Sequence, residues 1–178
     1  MTSSATRSGG VQAPASTRVF LDCEFTRFEQ RQLISLALVS EAGPRCYVEL
    51  TDFKPSSCSD FVREVVLPLL RLLPTTAEGP APLVASAVRD WLDAQGALTL
   101  VFDYTGDLEL LDGLLGGRHP SIEATIDIGP LTSHPAFAEA QERIWRSRAQ
   151  MRHHALIDAL ALAEAWKALG QALGQGAP

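Results

Sequence analysis

The sequence predicts an α/β domain in which a mixed sheet of about five strands is flanked by helices. Two observations lead to this fold class. Early in the chain, three short apolar runs follow one another through tight polar turns, as antiparallel strands do. Further along, apolar residues at helical spacing alternate with short apolar runs, and strands connected through helices pair in parallel. We therefore expect an antiparallel meander followed by strand–helix units, in one domain over residues 18–170.

Alternating or continuous apolar runs between turn residues define the strands. The meander is predicted at Arg18–Phe25, Gln32–Val39 and Arg45–Leu50, and the parallel strands at Ala97–Phe102 and Ser121–Ile128. Gly43 and Pro44 are typical of the turn between the second and third strands. The short polar connections leave room only for antiparallel pairing there.

Apolar residues three and four positions apart define the helices. Helices are predicted from Ser59–Asp60 to Leu72, and over Leu83–Gln95, Leu108–Leu115, Pro135–Arg148 and Ala155–Leu169. Pro68 should kink or break the first, because proline lacks an N–H group and its ring clashes with the preceding turn. Gly96 and Gly116 should end the second and third, since glycine favours helix C-termini. Residues 74–82 are expected to be a loop.

Composition limits the classes of partner. The 178 residues are 46% hydrophobic, which suffices for a sizeable core. A net charge of −6 argues against broad electrostatic adhesion to nucleic acid or to anionic membrane, but a local phosphate site neutralised by metal ions is compatible with it. The three cysteines are odd in number and unclustered, which predicts neither a disulfide framework nor a zinc site.

The ends of the chain carry no predicted membrane or export signal. No apolar run reaches the roughly 18 residues of a membrane span, and the first residues lack the apolar segment of a signal peptide. We expect a soluble cytoplasmic protein with no membrane partner. Residues 1–17 are rich in Ser, Thr, Ala, Gly and Pro, which is typical of a disordered tail, and 171–178 are expected to be a flexible tail.

Asp22 and Glu24 are two positions apart in an otherwise apolar predicted strand. Their side chains should project from one face, while the intervening apolar residues fill the other. Neighbouring carboxylates repel and are costly to bury, and a divalent cation relieves both penalties. Hard cations choose oxygen ligands, so this strand is a candidate half of a magnesium or manganese site. The alternative is an edge strand with solvated acids.

A second acidic pair, Asp103 and Asp107, follows the predicted strand at 97–102. Ligands of open α/β sheets bind beyond the carboxyl ends of the strands, and an acid in a first helical turn suits the helix dipole. The same positions also suit an ordinary turn residue and an ordinary helix cap. The residues alone leave both readings open.

The closing helix contains one acid, Asp158, in the apolar stretch Ala155–Ala163, after His153 and His154. A carboxylate on a helix that is apolar nearly all round needs a partner, which is either an arginine or histidine or a shared metal ion. Helical geometry favours His154, which shares a face with Asp158 at a spacing of four. His153 would reach the same site only from the irregular segment before the helix. Geometry alone does not decide between them.

Three segments taken together are recognisable: Phe20-Leu-Asp22-Cys-Glu24-Phe25, Asp107 at a strand–helix junction, and His153-x-Ala-x-x-Asp158. This set resembles the DEDDh branch of the DnaQ-like 3′–5′ exonucleases, which includes ribonuclease T, oligoribonuclease and the proofreading subunit of DNA polymerase III. The sequence at 22–25, 33–35 and 66–68 is similar to that of small stand-alone bacterial exoribonuclease-like members. The resemblance covers residues 18–170.

The resemblance implies a ribonuclease H-like fold and a centre of two Mg²⁺ or Mn²⁺ ions. It implies Asp22, Glu24 and Asp158 as direct ligands of the ions, Asp107 as the second-motif acid, also a ligand, and His153 as general base. The family's histidine is followed by four residues and then the acid, which selects His153.

The middle motif departs from the family pattern. Many relatives carry an asparagine upstream of the second-motif aspartate, whereas this chain has none there and Asp103 supplies an extra candidate acid. This puts in doubt which of Asp103 and Asp107 faces the metals. Asp107 is preferred, because the expected helix continues from it.

The implied activity is removal of nucleotides from the 3′ end of single-stranded RNA or DNA, with RNA slightly favoured, releasing nucleoside monophosphates. Since relatives are often homodimers, a homodimer is also an arrangement to test. Arginines and a tryptophan at 143–152 would suit a single-stranded backbone and a stacked base, or else form a solvated helix face with Trp145 in the core. The candidate substrate contacts are Phe25, Arg27, Phe28, Asp103, Arg148 and Arg152.

Two other functions compete with the exonuclease. One is a catalytically inactive ribonuclease H-like interaction module, against which the complete set of acids and the histidine argue. The other is a nucleotide-sugar transferase that holds a metal diphosphate with a short acidic motif. The transferase would leave His153 and Asp158 without a role.

Overall fold

Six strands form one mixed sheet in the computed structural model, which describes residues 16–174. The strands are β1 (Thr17–Phe25), β2 (Leu33–Ser40), β3 (Arg45–Leu50), β4 (Ala77–Gly79), β5 (Leu98–Phe102) and β6 (Ile122–Asp127). Residues 1–15 and 175–178, and with them most of the predicted N-terminal tail and half of the predicted C-terminal tail, lie outside the described residues. Residues 171–172 are helical, so the predicted start of the C-terminal tail is too early.

The sheet has the order β4-β3-β2-β1-β5-β6, so β1 lies near its centre. β2 pairs antiparallel with β1 and with β3, as the short polar turns predict. β5 pairs in parallel with β1 on its other side, and β6 pairs in parallel with β5. The prediction of a meander followed by parallel strands in an α/β domain is confirmed.

The predicted count of five strands is wrong, because residues 77–79 form a sixth. This segment lies inside the predicted loop at 74–82 and pairs in parallel with the end of β3. Thr76 N–H donates to the Tyr47 carbonyl at 2.6 Å, and Thr51 N–H donates to the Gly79 carbonyl at 3.0 Å. The pairing satisfies backbone groups along an edge of the sheet, so it needs no apolar alternation in the paired segment.

Four α-helices cover the sheet: α1 (Ala81–Gln95), α2 (Thr105–Leu115), α3 (Pro135–Ser147) and α4 (Ala155–Ala172). Side chains of α1 and α2 pack with one face of the sheet, and side chains of α3 and α4 pack with the other. Gly96 and Gly116 follow α1 and α2 with φ of +69° and +73°, a conformation that glycine adopts at little cost. None of the helices in the described part of the chain combines the length and apolar character needed to cross a membrane.

The helix predicted from Ser59 to Leu72 is not an α-helix. The chain instead forms a π-helical turn at Val62–Val66, followed by a 3₁₀ turn at Leu67–Leu69. Pro68 lies in the second turn, where its missing N–H and its ring prevent a regular α-helix from continuing. The predicted apolar face of Phe61, Val65, Leu69 and Leu72 is largely wrong, because only Leu69 of these is buried. Val62 and Val66 are buried against Ile34 instead.

The alternation of β1 positions the acids. Val19, Leu21 and Cys23 are buried in the core beneath α1 and α2. Phe20 is buried in the core beneath α3 and α4, so Asp22 and Glu24, which alternate with the first group, face the α3 and α4 side. α4 packs against both β1 and β2 on that side, as expected for a largely apolar helix.

Candidate metal centre

Acidic side chains from three distant segments meet at one end of the sheet. Asp22 and Glu24 come from the second half of β1, and Asp103 directly follows β5. Asp107 and Asp158 lie in the first turns of α2 and α4. They form two groups, which we call the aspartate triad (Asp22, Asp103 and Asp107) and the histidine triad (Glu24, His153 and Asp158).

In the aspartate triad, one carboxylate oxygen from each residue lies within 4.8 Å of the other two. Two oxygens on opposite sides of one magnesium ion are about 4.2 Å apart, twice the usual bond length. Asp107 is only 3% exposed. Its Oδ1 and the Oδ2 of the more accessible Asp22 are sealed from solvent and have no hydrogen-bond partner.

In the histidine triad, a ring nitrogen of His153 and carboxylate oxygens of Glu24 and Asp158 also lie within 4.8 Å of one another. The Trp145 indole N–H donates to Asp158 Oδ1 at 2.7 Å. The His153 backbone N–H donates to Asp158 Oδ2 at 3.1 Å. Both oxygens of Asp158 are thus oriented before any ligand binds.

A left-handed residue brings His153 to the triad. His153 has φ of +69°, which turns the chain just before α4. The next residue, His154, is the N-cap of α4, and its Nδ1 accepts the Leu156 N–H at 3.2 Å. His154 is 2% exposed and packs against the Tyr47 ring at a centroid distance of 4.6 Å. His153 therefore belongs to the site and His154 to the core.

Burial and mutual repulsion shift the carboxyl groups toward their protonated forms. Burial, with added repulsion from Asp158 and Asp107, raises the pKa values of Asp22 and Glu24 well above their ordinary range. Burial together with the Asp103 charge raises the pKa of Asp107 to about 8, although Arg31 opposes the shift. The aspartate triad therefore holds more negative charge than its surroundings neutralise.

In the histidine triad, hydrogen bonds and the neighbouring arginine limit the shift of Asp158 but not that of Glu24. Burial raises the pKa of Asp158 to about 6, and the hydrogen bonds from Trp145 and from the His153 backbone, with the Arg152 charge, limit the rise. Burial and the Arg152 charge lower the pKa of His153. The His153 imidazole is therefore mostly neutral near pH 7, the form that accepts a proton.

These residues fit divalent cations. The donor set is five carboxylates and one imidazole, and two of its buried oxygens have no partner. Hard cations such as Mg²⁺ and Mn²⁺ favour carboxylate oxygens, and Mn²⁺ also accepts imidazole nitrogen. A cation placed among the acids would remove the repulsion that raises their pKa values.

Two cavities open on either side of the acids. One, of about 320 Å³, is lined by Asp22, Asp103 and Asp158 together with Tyr104, Gly129, Thr132, Gln141 and Trp145. The other, of about 410 Å³, lies against Glu24 and His153, and we call it the aromatic cavity. Its remaining lining residues are Phe25, Arg27, Phe28, Glu29, Ser59, Phe61 and Val62.

The predicted substrate contacts differ in how they are placed. Phe25 and Phe28 line the aromatic cavity and meet edge to face at 5.2 Å between ring centroids. The Arg27 side chain lines it too, but its Nε donates to the Ser57 carbonyl at 2.5 Å and so fastens two loops together. Asp103 belongs to the aspartate triad.

The basic segment before α4 is only partly associated with the acids. The Arg152 guanidinium stacks over the Trp145 ring at 4.2 Å, next to the indole that holds Asp158. Arg148 is exposed and lines a separate cavity formed by residues 147–151. Trp145 is half-buried and acts as a hydrogen-bond donor to the site, which neither reading of it from the sequence anticipated.

Sequence reasoning missed three further residues at the site. Phe61 was assigned to a helix, yet it is 50% exposed and meets the His153 ring edge to face at 5.0 Å. Tyr104 lies beside Phe25, and its hydroxyl accepts a hydrogen bond from Arg31 at 2.8 Å. Tyr104 directly follows the candidate acid Asp103, and this was the available signal for it. Nothing comparable pointed to Phe61 or Arg31.

Comparison with protein-family models finds no match, and a search among curated proteins finds none either. The convergence of the two triads is therefore the observation from which a function can be argued.

Proposed function

We propose that this protein is a metal-dependent 3′–5′ exonuclease. It would hydrolyse the terminal phosphodiester bond of single-stranded RNA or DNA, with RNA slightly favoured, and release nucleoside monophosphates. The observation that carries the proposal is the meeting of carboxylates from β1, from the β5–α2 junction and from α4, with His153 beside them. An antiparallel meander followed by strand–helix units supports a ribonuclease H-like arrangement.

The aspartate triad would hold one Mg²⁺ or Mn²⁺ ion, and the carboxylates of Glu24 and Asp158 would hold the other, with the His153 ring left unligated beside it. When bound, a pair of such ions lowers the pKa of a water molecule and stabilises the charge that develops on the leaving 3′ oxygen. The protein's own part is to hold the carboxylates in place. Trp145 and the His153 backbone orient Asp158 through the two hydrogen bonds described above.

His153 would take the proton from the attacking water. Its ring is partly exposed at the aromatic cavity, and it lies beside Glu24 and Asp158. Its lowered pKa keeps it free to accept a proton near neutral pH. The edge contact with Phe61 limits the directions that the imidazole can face.

The aromatic cavity would receive the 3′-terminal nucleoside. Phe28 is 70% exposed and Phe61 is 50% exposed, so both rings are available for stacking. Stacking on aromatic side chains binds bases of single strands with little sequence preference. Because bound ions would neutralise the acids and the scissile phosphate, an acidic protein can still bind this substrate.

The test is a degradation assay on 3′-labelled and 5′-labelled single- and double-stranded RNA and DNA, with magnesium, manganese or chelator. We expect stepwise shortening of single strands from the 3′ end, dependent on metal. Asp22→Asn and Asp158→Asn should abolish turnover while the circular dichroism spectrum stays that of the parent. Asp90→Asn, which removes an exposed acid on α1, is the control for net charge and should leave turnover unchanged.

If Asp22→Asn or Asp158→Asn degrades the substrate at the rate of the parent, the assignment of the site is refuted. A protein that binds metal but degrades none of the four substrates would favour the inactive interaction module instead.

A further inference from the structure

We infer that Asp103 is a ligand of the same metal ion as Asp22 and Asp107, so that five carboxylates serve the centre. This inference rests on the proposed exonuclease function and deepens it. The sequence left open whether Asp103 or Asp107 faces the metal ions, and by this inference both residues do. It also assigns to the aspartate triad an ion held entirely by carboxylate oxygens from this chain and by water.

The carboxylates of Asp22, Asp103 and Asp107 lie equally within reach of one ion. Their oxygens lie within 4.8 Å of one another, whereas Glu24 and Asp158 group with His153 instead. Without Asp103, only Asp22 and Asp107 would remain in the triad. Because no pair of these oxygens is more than 4.8 Å apart, a shift of at most about half an ångström, which side-chain rotation can supply, brings them to the ~4.2 Å that one magnesium ion spans.

The fold holds Asp103 in place from the backbone side. Ile128 N–H donates to the Phe102 carbonyl at 2.8 Å, which continues the β5–β6 pairing one residue past the end of β6. Gly129 then approaches so closely that a Cβ there would lie 2.7 Å from the Asp103 carbonyl oxygen. A side chain at residue 129 would therefore push Asp103 away from the triad. The close approach keeps the Asp103 carboxylate at the edge of the cavity that Asp22 also lines.

An independent observation points to a ligand at this place. Asp107 is nearly completely buried, and its Oδ1 has neither a hydrogen-bond partner nor contact with solvent; the same is true of Asp22 Oδ2. Buried carboxylate oxygens are normally satisfied, because leaving one unpaired costs roughly 1–3 kcal/mol or more. Asp103 offers only acceptors, so it cannot satisfy them when ionised. A cation among the three satisfies all of them at once.

The neighbouring acid Asp127 provides the matched comparison. It is exposed, its Oδ1 accepts the Gly129 N–H at 2.9 Å, and its Oδ2 accepts the Thr105 hydroxyl at 3.4 Å. Asp127 thus contributes negative charge near the site, but its carboxylate accepts hydrogen bonds from neighbouring backbone and side-chain groups. An asparagine there keeps the acceptor for Gly129, so Asp127→Asn removes charge without removing a ligand.

The experiment measures Mn²⁺ binding to the full chain by electron paramagnetic resonance of the free ion and by calorimetry, without substrate. We expect the parent to bind two ions. Asp103→Asn should raise the Kd of one of the two ions by about tenfold or more, which is the lower end of the 10–100-fold losses of metal affinity known for groups that support metal sites. Asp127→Asn should weaken it by no more than about threefold, as expected of a solvent-screened charge. Circular dichroism and metal-free melting temperature report whether each variant is folded.

A second readout separates ligation from a structural role. Removing a repelling charge should leave the metal-free melting temperature of Asp103→Asn equal to or above that of the parent, while its increase on adding Mn²⁺ becomes smaller. Equal Mn²⁺ binding by the parent and Asp103→Asn, or equal losses in Asp103→Asn and Asp127→Asn, would overturn the role of Asp103 and leave the exonuclease proposal standing. A parent protein that binds no Mn²⁺ would overturn both.

Discussion

The buried carboxyl group of Asp107 should make the stability of the metal-free protein fall as the pH rises. In the folded protein its pKa is raised from 3.8 to about 8, chiefly by burial and then by Asp103. The unfolded chain releases this proton near its ordinary pKa. Between the two values the folded state binds one more proton than the unfolded state, so a rise in pH favours unfolding.

The size of the effect follows from the width of the pH interval. One excess proton changes the free energy of unfolding by about 1.4 kcal/mol per pH unit. His153 and His154 have lowered pKa values in the folded protein but are half protonated at pH 6.5 in the unfolded chain, so each opposes the decline by at most about 0.4 kcal/mol between pH 6.5 and 8. Over that interval Asp107 alone should reduce the free energy of unfolding by about 2 kcal/mol, which corresponds to roughly 4–8 °C in melting temperature for a domain of this size. Asp22 and Glu24, shifted in the same direction, add to the loss.

The assay is thermal unfolding followed by circular dichroism after treatment with chelator, at pH 6.5 and at pH 8. Asp107→Asn should flatten the dependence, because the amide does not titrate, and Asp90→Asn should retain it. A melting temperature that stays constant or rises with pH in the parent would refute the reasoning. So would an undiminished decline in Asp107→Asn.

Three further predictions concern residues around the acids. His153→Ala should lower kcat by about 10²–10⁴-fold with little change in melting temperature, whereas His154→Ala should cost about 1 kcal/mol of stability through the lost cap; equal kinetic effects would contradict the assignment. Phe28→Ala and Phe61→Ala should each raise KM by roughly 5–150-fold, from about 1–3 kcal/mol per stacked base, and should leave Mn²⁺ affinity unchanged. Trp145→Phe removes the indole N–H that keeps the pKa of its carboxylate partner down, so the pH midpoint of Mn²⁺ binding should shift upward, and an unmoved midpoint would count against this role.

The parts of the fold with strong periodicity could be predicted from the sequence. In β1 the alternation specified that Asp22 and Glu24 share the face opposite Val19, Leu21 and Cys23, because successive side chains of a strand point to opposite faces. β4 could not be predicted in this way. Its three residues pair because the edge of β3 is available, and that edge exists only after the sheet has formed.

For the segment at 59–72 both the helix type and most of the buried face were predicted wrongly, because Phe61 and Leu72 are exposed while Val62 and Val66 are buried. Apolar residues four apart satisfy a π-helical turn followed by a 3₁₀ turn as well as an α-helix, so periodicity alone does not distinguish them. Pro68 was the local signal that the α-helix would fail. The consequence reaches the site, because Phe61 borders this segment and contacts the His153 ring.

The sequence predicted which acids belong to the site better than it predicted how those acids divide into the two triads. The acid positions could be identified as candidates from strand and helix context. That Asp103 joins Asp22 and Asp107, whereas Glu24 joins Asp158, depends on distances across three elements that no sequence spacing encodes. The choice between the histidines needed the left-handed backbone at His153, since helix periodicity considers only residues already inside the helix.

The cost of gathering the acids and the benefit of binding a cation are of similar size. A loss of about 2 kcal/mol between pH 6.5 and 8 is a large share of the 5–15 kcal/mol that typically stabilises a domain. A cation that binds only the folded state contributes about 2.7 kcal/mol at a concentration 100 times its Kd. Metal at that concentration should therefore restore at pH 8 about the melting temperature that the chelated protein has at pH 6.5. Asp107→Asn, which has less repulsion to relieve and one ligand fewer, should gain much less from the same addition, and an equal gain would show that the cation acts elsewhere.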